Sequence, residues 1–259
     1  MIVDNIFNDN KKITAIIQAR MESTRLPGKV LKSICGVPIL KHIVNRVSMS
    51  EMVDSIIVAT SQNQADDVIE EFCVNNKILY FRGSQENVLQ RFVDCANKYK
   101  SDIIIRLTGD NALIDSEIID SGIKEFQCEG KVDYLYYKEG LPIGMAIEIF
   151  KYSALARAYK EAKDSECLEH VTPYLYKNPD KFIVKRSCCN NNDYSNLRWT
   201  IDTRSDFILV SNIYNVLYQQ YGDKFHYNDI IKEYKKHKEW YRINDEINQV
   251  KIYYQGEKK

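Results

Sequence analysis

The chain has 259 residues, 44% hydrophobic and 28% charged, enough for one large α/β domain or one domain with a small appendage. Lys+Arg and Asp+Glu balance at 36 each, which gives no support for a nucleic-acid or membrane-surface protein, whose footprint is basic. Any anion must therefore be held locally, by a constellation of side chains.

Seven cysteines are an odd number, with Cys188 and Cys189 adjacent and no CxxC pair. They read as reduced thiols of a cytoplasmic protein, since the spacing of a four-ligand zinc site is missing. The first ten residues carry Asp4, Asn5, Asn8, Asp9 and Asn10, so no signal peptide is expected. No run approaches the roughly 18 apolar residues of a membrane span.

Short β-branched runs alternate with helical patterns through the first half. Residues 13–19 (ITAIIQA) read as a buried strand, and 38–49 as a helix with Pro at its start. Residues 55–61 read as a second strand, 64–76 as a helix, 78–83 as a third strand, 86–99 as a helix and 102–110 as a fourth strand. Farther on, 133–152 reads as strands joined by a Gly/Pro turn, 154–162 as a helix, and 167–182 as a helix or helical turn ended by Asn178-Pro179. Residues 197–220 read as a strand, a loop at Asp202 and a helix. Alternation of this kind implies an α/β fold, a mainly parallel sheet sandwiched by helices.

In open sheets of that kind, ligands bind beyond the carboxyl ends of the strands. The loops there are QARMESTR, ATSQNQ, RGSQEN and LTGDNALID, all polar and all expected on one edge. The first is the most distinctive. Arg20, Ser23, Arg25 and Lys29 surround a Pro27-Gly28 turn, whose backbone N–H groups can form an anion-binding nest. Arg offers bidentate contacts to phosphate and Lys a mobile point charge, a combination that suits a triphosphate. The competing reading is a solvated basic turn. Neither GxxxxGK[ST] nor GxGxxG is present, so the phosphate-binding device is of another kind.

The stretch IIQARMESTRLPGKVLKSICGVPIL closely resembles the opening of the cytidylyltransferase family that activates acidic sugars such as Kdo and sialic acid, and most of all its SpsF-like branch. The resemblance continues in family order through RGSQENVLQRF, RLTGDNALIDSEIID, GMAIEIF, EHVTPYLY and WTIDTRSDF, to about Val210. It implies a nucleotide-diphospho-sugar-transferase-like (GT-A/Rossmann-like) fold, with CTP as co-substrate and Mg²⁺ as cofactor. By position, Gln18 and Ala19 would lie against the base or ribose, and Arg20, Ser23, Arg25 and Lys29 would hold the phosphates. Thr60, Ser61, Gly83, Ser84, Arg91 and Thr108 complete the implied nucleotide site. Asp110 and Asp202 match metal-ligand positions, and Arg20, Lys29 and Asp110 carry the catalytic assignment. Asn111, Glu148 and His170 are implied on the acceptor side. Two departures bear on the acceptor: Asn111-Ala112 replaces a Cys-Pro or Glu-Pro pair, and Ala146 stands where many relatives carry Asp.

Nucleotidyl transfer is attack of an acceptor oxygen on the α-phosphorus with loss of pyrophosphate, so catalysis is positioning and electrostatic stabilisation. The bland readings stand beside this one. Asp110 alone could be a loop or capping residue, and Asp202 an N-cap of the helix that follows. His170 could be structural, and Glu148 could pair with Arg or Lys instead of a substrate hydroxyl. Tyr134, Tyr136 and Tyr137 read as core or interface, and Asp66-Asp67 with Glu70-Glu71 as a solvated helix face. Alternatives in function are a guanylyl- or uridylyltransferase of the same fold and a non-catalytic nucleotide-binding module. The expected organisation is one nucleotidyltransferase domain over 1–225, with an acceptor and dimerisation segment near 133–190, then a helical appendage and tail over 226–259. A homodimer without nucleic-acid or membrane partners is expected.

Overall fold

The computed structural model describes residues 11–188 and 193–247; the side chains of Lys138, Glu139 and Cys188 also lie outside the description. The readings of the first ten residues, of Cys188-Cys189 and of the tail beyond residue 247 therefore fall outside the described residues.

In chain order, β1 (Ile13–Gln18) leads through a small hairpin of β2 (Ser33–Ile34) and β3 (Val37–Pro38) into α1 (Ile39–Val47). The alternation continues with β4 (Ser55–Ser61), α2 (Asp67–Asn75), β5 (Leu79–Gly83), α3 (Val88–Lys98), β6 (Ile103–Thr108) and α4 (Ser116–Cys128). The second half carries β7 (Tyr134–Glu139), β8 (Ile147–Lys151), α5 (Tyr152–Glu161), α6 (Ser165–His170), α7 (Pro173–Lys177), β9 (Val184–Cys188), α8 (Arg204–Tyr221) and α9 (Tyr227–Lys236).

Seven strands form one sheet in the order β5-β4-β1-β6-β8-β7-β9. Neighbouring pairs are parallel except at β8, which runs against both β6 and β7. The mainly parallel sheet between helices is thus as the sequence implies. β1 lies at the centre, and its side chains divide the core as strand periodicity requires. Ile13, Ala15 and Ile17 face a cluster with α1, α4 and α8, while Ile16 faces one with α3, α5 and α7. Burial on both faces explains why these strands read as continuous apolar runs.

Five differences from the sequence reading stand out. Helix α4 was not anticipated, although Asp115 caps it by accepting from Glu117 N (2.8 Å) and Ile119, Ile123 and Phe126 form its buried stripe. The expected strand at 197–201 is reduced to a single bridge, Ile143 with Arg198. The expected helix at 167–182 is two helices, α6 and α7, broken at Val171, whose φ of 73° no helix accommodates. The acidic run is not all solvated. Asp66 is buried, and Glu70 pairs with Arg82 at 2.7 Å. Strand β9 also escaped notice, as a short polar segment beside β7.

Helix α9 packs Tyr227, Ile230, Ile231 and Tyr234 into the same core as the fully buried Trp199, whose ring lies 5.3 Å from that of Tyr234. This packing fixes the segment before α8. Trp199 N donates to Ile143 O (2.8 Å) and Ile201 N to Asp110 O (3.1 Å), so the chain reaching Asp202 is laid directly across the end of β6. None of the described helices is long and apolar enough to cross a membrane.

Candidate active site

The carboxyl ends of β1, β4, β5 and β6 share one edge, as parallel pairing demands. A cleft of about 230 Å³ opens there, lined by Gln18, Ala19 and Arg20 from β1 and its exit, by Ser23, Arg25 and Lys29 from the following loop, and by Thr108, Asp110 and Asp202. The loop is closed at its base, where Gly28 N donates to Met21 O (3.0 Å). Gly28 makes the turn with φ 66°, a left-handed conformation that favours glycine. Lys29 then enters a short 3₁₀ turn that ends at Leu31, with Val30 buried beneath it.

Lys29 is the hinge of the electrostatics. Its Nζ donates to Asp110 Oδ2 at 2.9 Å and to Asp202 Oδ1 at 2.8 Å. Burial works against its charge, but the two carboxylates outweigh burial and raise its pKa above the usual lysine value. Asp202 is held in turn by Arg198 (2.8 Å) and Arg25 (3.3 Å). Burial would raise its pKa; the ammonium of Lys29 and the guanidinium groups of Arg198 and Arg25 prevail and bring it down to about 2. The N-cap reading of Asp202 is corrected. Thr203 caps α8 with Asp206 in a reciprocal capping box, which leaves the Asp202 carboxylate for the cleft. Asp110 sits in the turn after β6, with Thr108 Oγ1 against its other oxygen.

Two carboxylates converging on the Lys29 ammonium are an all-oxygen donor set suited to a hard divalent ion. Asp110 and Asp202 therefore fit Mg²⁺.

Of the other implied nucleotide residues, Thr60, Ser61, Gly83, Ser84 and Arg91 do not line this cleft. Thr60 and Ser61 end β4 with their side chains buried, and Ser61 is hydrogen-bonded to Asp66 (2.5 Å). Gly83 ends β5; a Cβ there would meet Phe81 Cε1 at 2.8 Å and Arg91 Cγ at 2.9 Å, so packing requires glycine. Ser84 Oγ accepts from Asn87 N (3.0 Å) at the start of α3. Arg91 is buried and donates to Ser84 O (2.8 Å), while burial lowers its pKa to about 10.

Two of the acceptor-side residues, Asn111 and Glu148, have protein partners. Asn111 accepts from Thr108 N (2.7 Å) and donates to Gly144 O (2.9 Å), tying the β6 turn to the loop before β8. Glu148 is buried and accepts from Tyr134 (2.6 Å), Thr172 (2.6 Å) and Arg106. It thus takes the Arg pairing left open by the sequence. Arg106 reaches on to Gln18 Oε1 (3.2 Å), linking Glu148 to the floor of the cleft. His170 ends α6, half-buried, beside the Val171 break. Sequence reasoning passed over Arg198 and Arg106 and read Asp66 as a solvated helix residue; each is a charge of ordinary appearance whose partners only the fold reveals.

Comparison with known proteins decides the family. A family model described as cytidylyltransferase matches residues 14–259. The chain belongs to the cytidylyltransferase family. Within that family it is 36% identical over 218 residues to the spore coat polysaccharide biosynthesis protein SpsF of Bacillus subtilis, covering 82% of this chain and 88% of that one. It is 40% identical over 201 residues to an uncharacterised protein of Methanocaldococcus jannaschii, covering 76% of this chain and 81% of that one. A cytidylyltransferase structure from Leptospira borgpetersenii superposes with a TM-score of 0.84 at 33% identity, over 93% of this chain and all of that one (100%). A CMP:2-keto-3-deoxy-manno-octonic acid synthetase complexed with CTP shares the fold, with a TM-score of 0.60 at 16% identity, covering 80% of this chain and 99% of that one.

Proposed function

We propose that this member of the cytidylyltransferase family transfers CMP from CTP to a small acceptor and releases pyrophosphate. The observation that carries the reading is the convergence of Lys29, Asp110 and Asp202 at a cleft whose other wall is the cationic loop. In this reading the acceptor oxygen forms a bond to the α-phosphorus as the bond to the bridging oxygen breaks, and pyrophosphate carries away the charge. Arg20, Ser23 and Arg25 hold the phosphates, and Lys29 meets the charge that grows on the leaving group. Mg²⁺, held by Asp110 and Asp202, would supply further neutralisation of the phosphate oxygens. Gln18 and Ala19 at the end of β1 orient the nucleoside end.

The acceptor in this proposal is an acidic sugar or a small phosphorylated compound used in surface-polysaccharide synthesis. The names of the relatives support it: SpsF above, and a 3-deoxy-manno-octulosonate cytidylyltransferase of Geobacter metallireducens, 32% identical over 121 residues and covering 47% of each chain. Thermal-shift measurements with the four nucleoside triphosphates and Mg²⁺ test the base, with the largest stabilisation expected from CTP. Pyrophosphate release with phosphorylated and unphosphorylated acceptors tests the rest. Equal shifts with all four triphosphates, and no release with either acceptor class, would defeat the proposal.

A further inference from the structure

Asp66 occupies the N-cap position of α2, yet its carboxylate makes no capping hydrogen bond there. An aspartate at that position ordinarily accepts from the first turn of its own helix. Here the side chain turns inward, at 2% exposure, and spends its oxygens elsewhere. Oδ1 accepts from Met21 N at 2.7 Å, and Oδ2 from Ser61 N at 3.2 Å and Ser61 Oγ at 2.5 Å. One carboxylate thus joins the end of β4 to the base of the cationic loop, 45 residues away in sequence.

Met21 is where that loop is closed. Its carbonyl receives Gly28 N, and its amide is given to Asp66. Arg20, Glu22, Ser23, Thr24 and Arg25, all of which line the cleft, are at or beyond this anchor. A buried negative charge beneath a phosphate site would oppose the ligand unless balanced. The buried guanidinium of Arg91 is close enough to feel both Asp66 and Arg20, and its Nε has no protein partner. The Arg91 guanidinium and the Asp66 carboxylate thus attract one another.

We propose that Asp66 is a positioning residue for the nucleotide triphosphate: its carboxylate fixes Met21 and so holds the cationic loop in its binding geometry before the nucleotide arrives. A loop already held in place loses less freedom on binding, so the gain appears in affinity. The inference rests on the reading of the cleft as a CTP site.

The test measures CTP affinity by calorimetry in Mg²⁺, and KM and kcat by pyrophosphate release, for wild type, Asp66→Asn, Asp66→Ala and Asp67→Asn. Asp67 is an exposed neighbour on the same helix and serves as the control. Asp66→Ala weakens CTP binding by roughly tenfold or more, as expected for loss of hydrogen bonds to a charged group. Asp66→Asn, which keeps one acceptor oxygen, falls between it and wild type. KM rises more than kcat falls, and Asp67→Asn behaves as wild type. Asp66 variants that bind CTP as tightly as wild type while melting earlier would overturn the proposal and leave Asp66 a structural residue only. Failure of wild type to bind CTP would instead defeat the reading of the cleft. Hydrogen exchange on the wild-type protein gives a check that needs no variant. The Met21 amide exchanges slowly without nucleotide, and rapid exchange would overturn the proposal.

Discussion

The ammonium of Lys29 lies 2.8 Å from a carboxylate oxygen of Asp202, a residue 173 positions farther along the chain. The same ammonium reaches Asp110, so three segments meet at one charge. In Lys29→Met the two carboxylates lose their shared counter-ion and, in the proposed reaction, the leaving phosphates lose a cation. Turnover is expected to fall by about a hundredfold or more, the scale of removing one preorganised donor. Steady-state pyrophosphate release measures it. A change below threefold would remove Lys29 from the chemistry.

Asp202 predicts an acid limb in stability. Its pKa is depressed to about 2 in the folded protein, against about 3.9 in an unfolded chain. A depressed carboxylate stabilises the fold above its unfolded pKa, and that contribution is lost as pH falls through the folded value. Thermal melts in a chelator are expected to show it intact at pH 5 and eroding from about 4 toward about 2. Asp202→Asn removes that part of the dependence, which a difference between the two pH profiles would reveal.

Gly144 predicts a clash that reaches the site. Its φ is 97°, and an added Cβ would stand 2.7 Å from Thr200 N and 2.8 Å from Thr200 Cα. Neither atom is the end of a flexible side chain, so the strand-like approach to Asp202 must move. Gly144→Ala is expected to cost about 2 kcal/mol in urea unfolding and to lower turnover together with stability. Unchanged turnover would show that the position of Asp202 is independent of this contact.

The Glu148 cluster predicts a stability defect with a broad base. Glu148→Ala deletes the acceptor of Tyr134, Thr172 and Arg106 in a buried setting. Denaturant unfolding should show a loss of about 3 kcal/mol, near that for breaking a buried ion pair.

Thiol reactivity provides an independent check on the core. Burial pushes the Cys73 and Cys95 thiols up to about 12, with the Glu70 carboxylate adding to the effect at Cys73. The thiolate is the reactive form, so neither should be labelled in the native protein at pH 8. Among the described cysteines, Cys35 and Cys128 are exposed and should label before the buried thiols. Peptide mapping after alkylation reads the order.

The strands legible in the sequence were those buried on both faces, together with the partly exposed edge strand β5. β1, β4 and β6 carry unbroken β-branched runs, and their common direction placed four loops on one edge before any coordinates were known. The cationic loop drew attention because Gly28 and three cations follow the first strand of the sheet. What escaped notice depended on partners that only the folded chain brings into contact. Asp66 resembles a solvated helix residue until Met21 and Ser61 are seen against it. Arg198 has the local look of a strand residue, and only Asp202 and Asp206 give its charge a purpose. The segment 197–201 has strand composition, but Gly144 and the core around Trp199 hold it as a single-bridge crossing instead. Helix α4 was missed because its apolar stripe is diluted in the sequence by Ser116, Glu117, Asp120 and Ser121.

The most direct measurement is pyrophosphate release from CTP in Mg²⁺, with acidic sugars and phosphate monoesters as acceptors, by wild type, Asp110→Asn and Asp202→Asn. Release by wild type with at least one acceptor, and its loss by about a hundredfold or more in each variant while both remain folded, is the predicted result. Wild-type rates in either folded variant would contradict it.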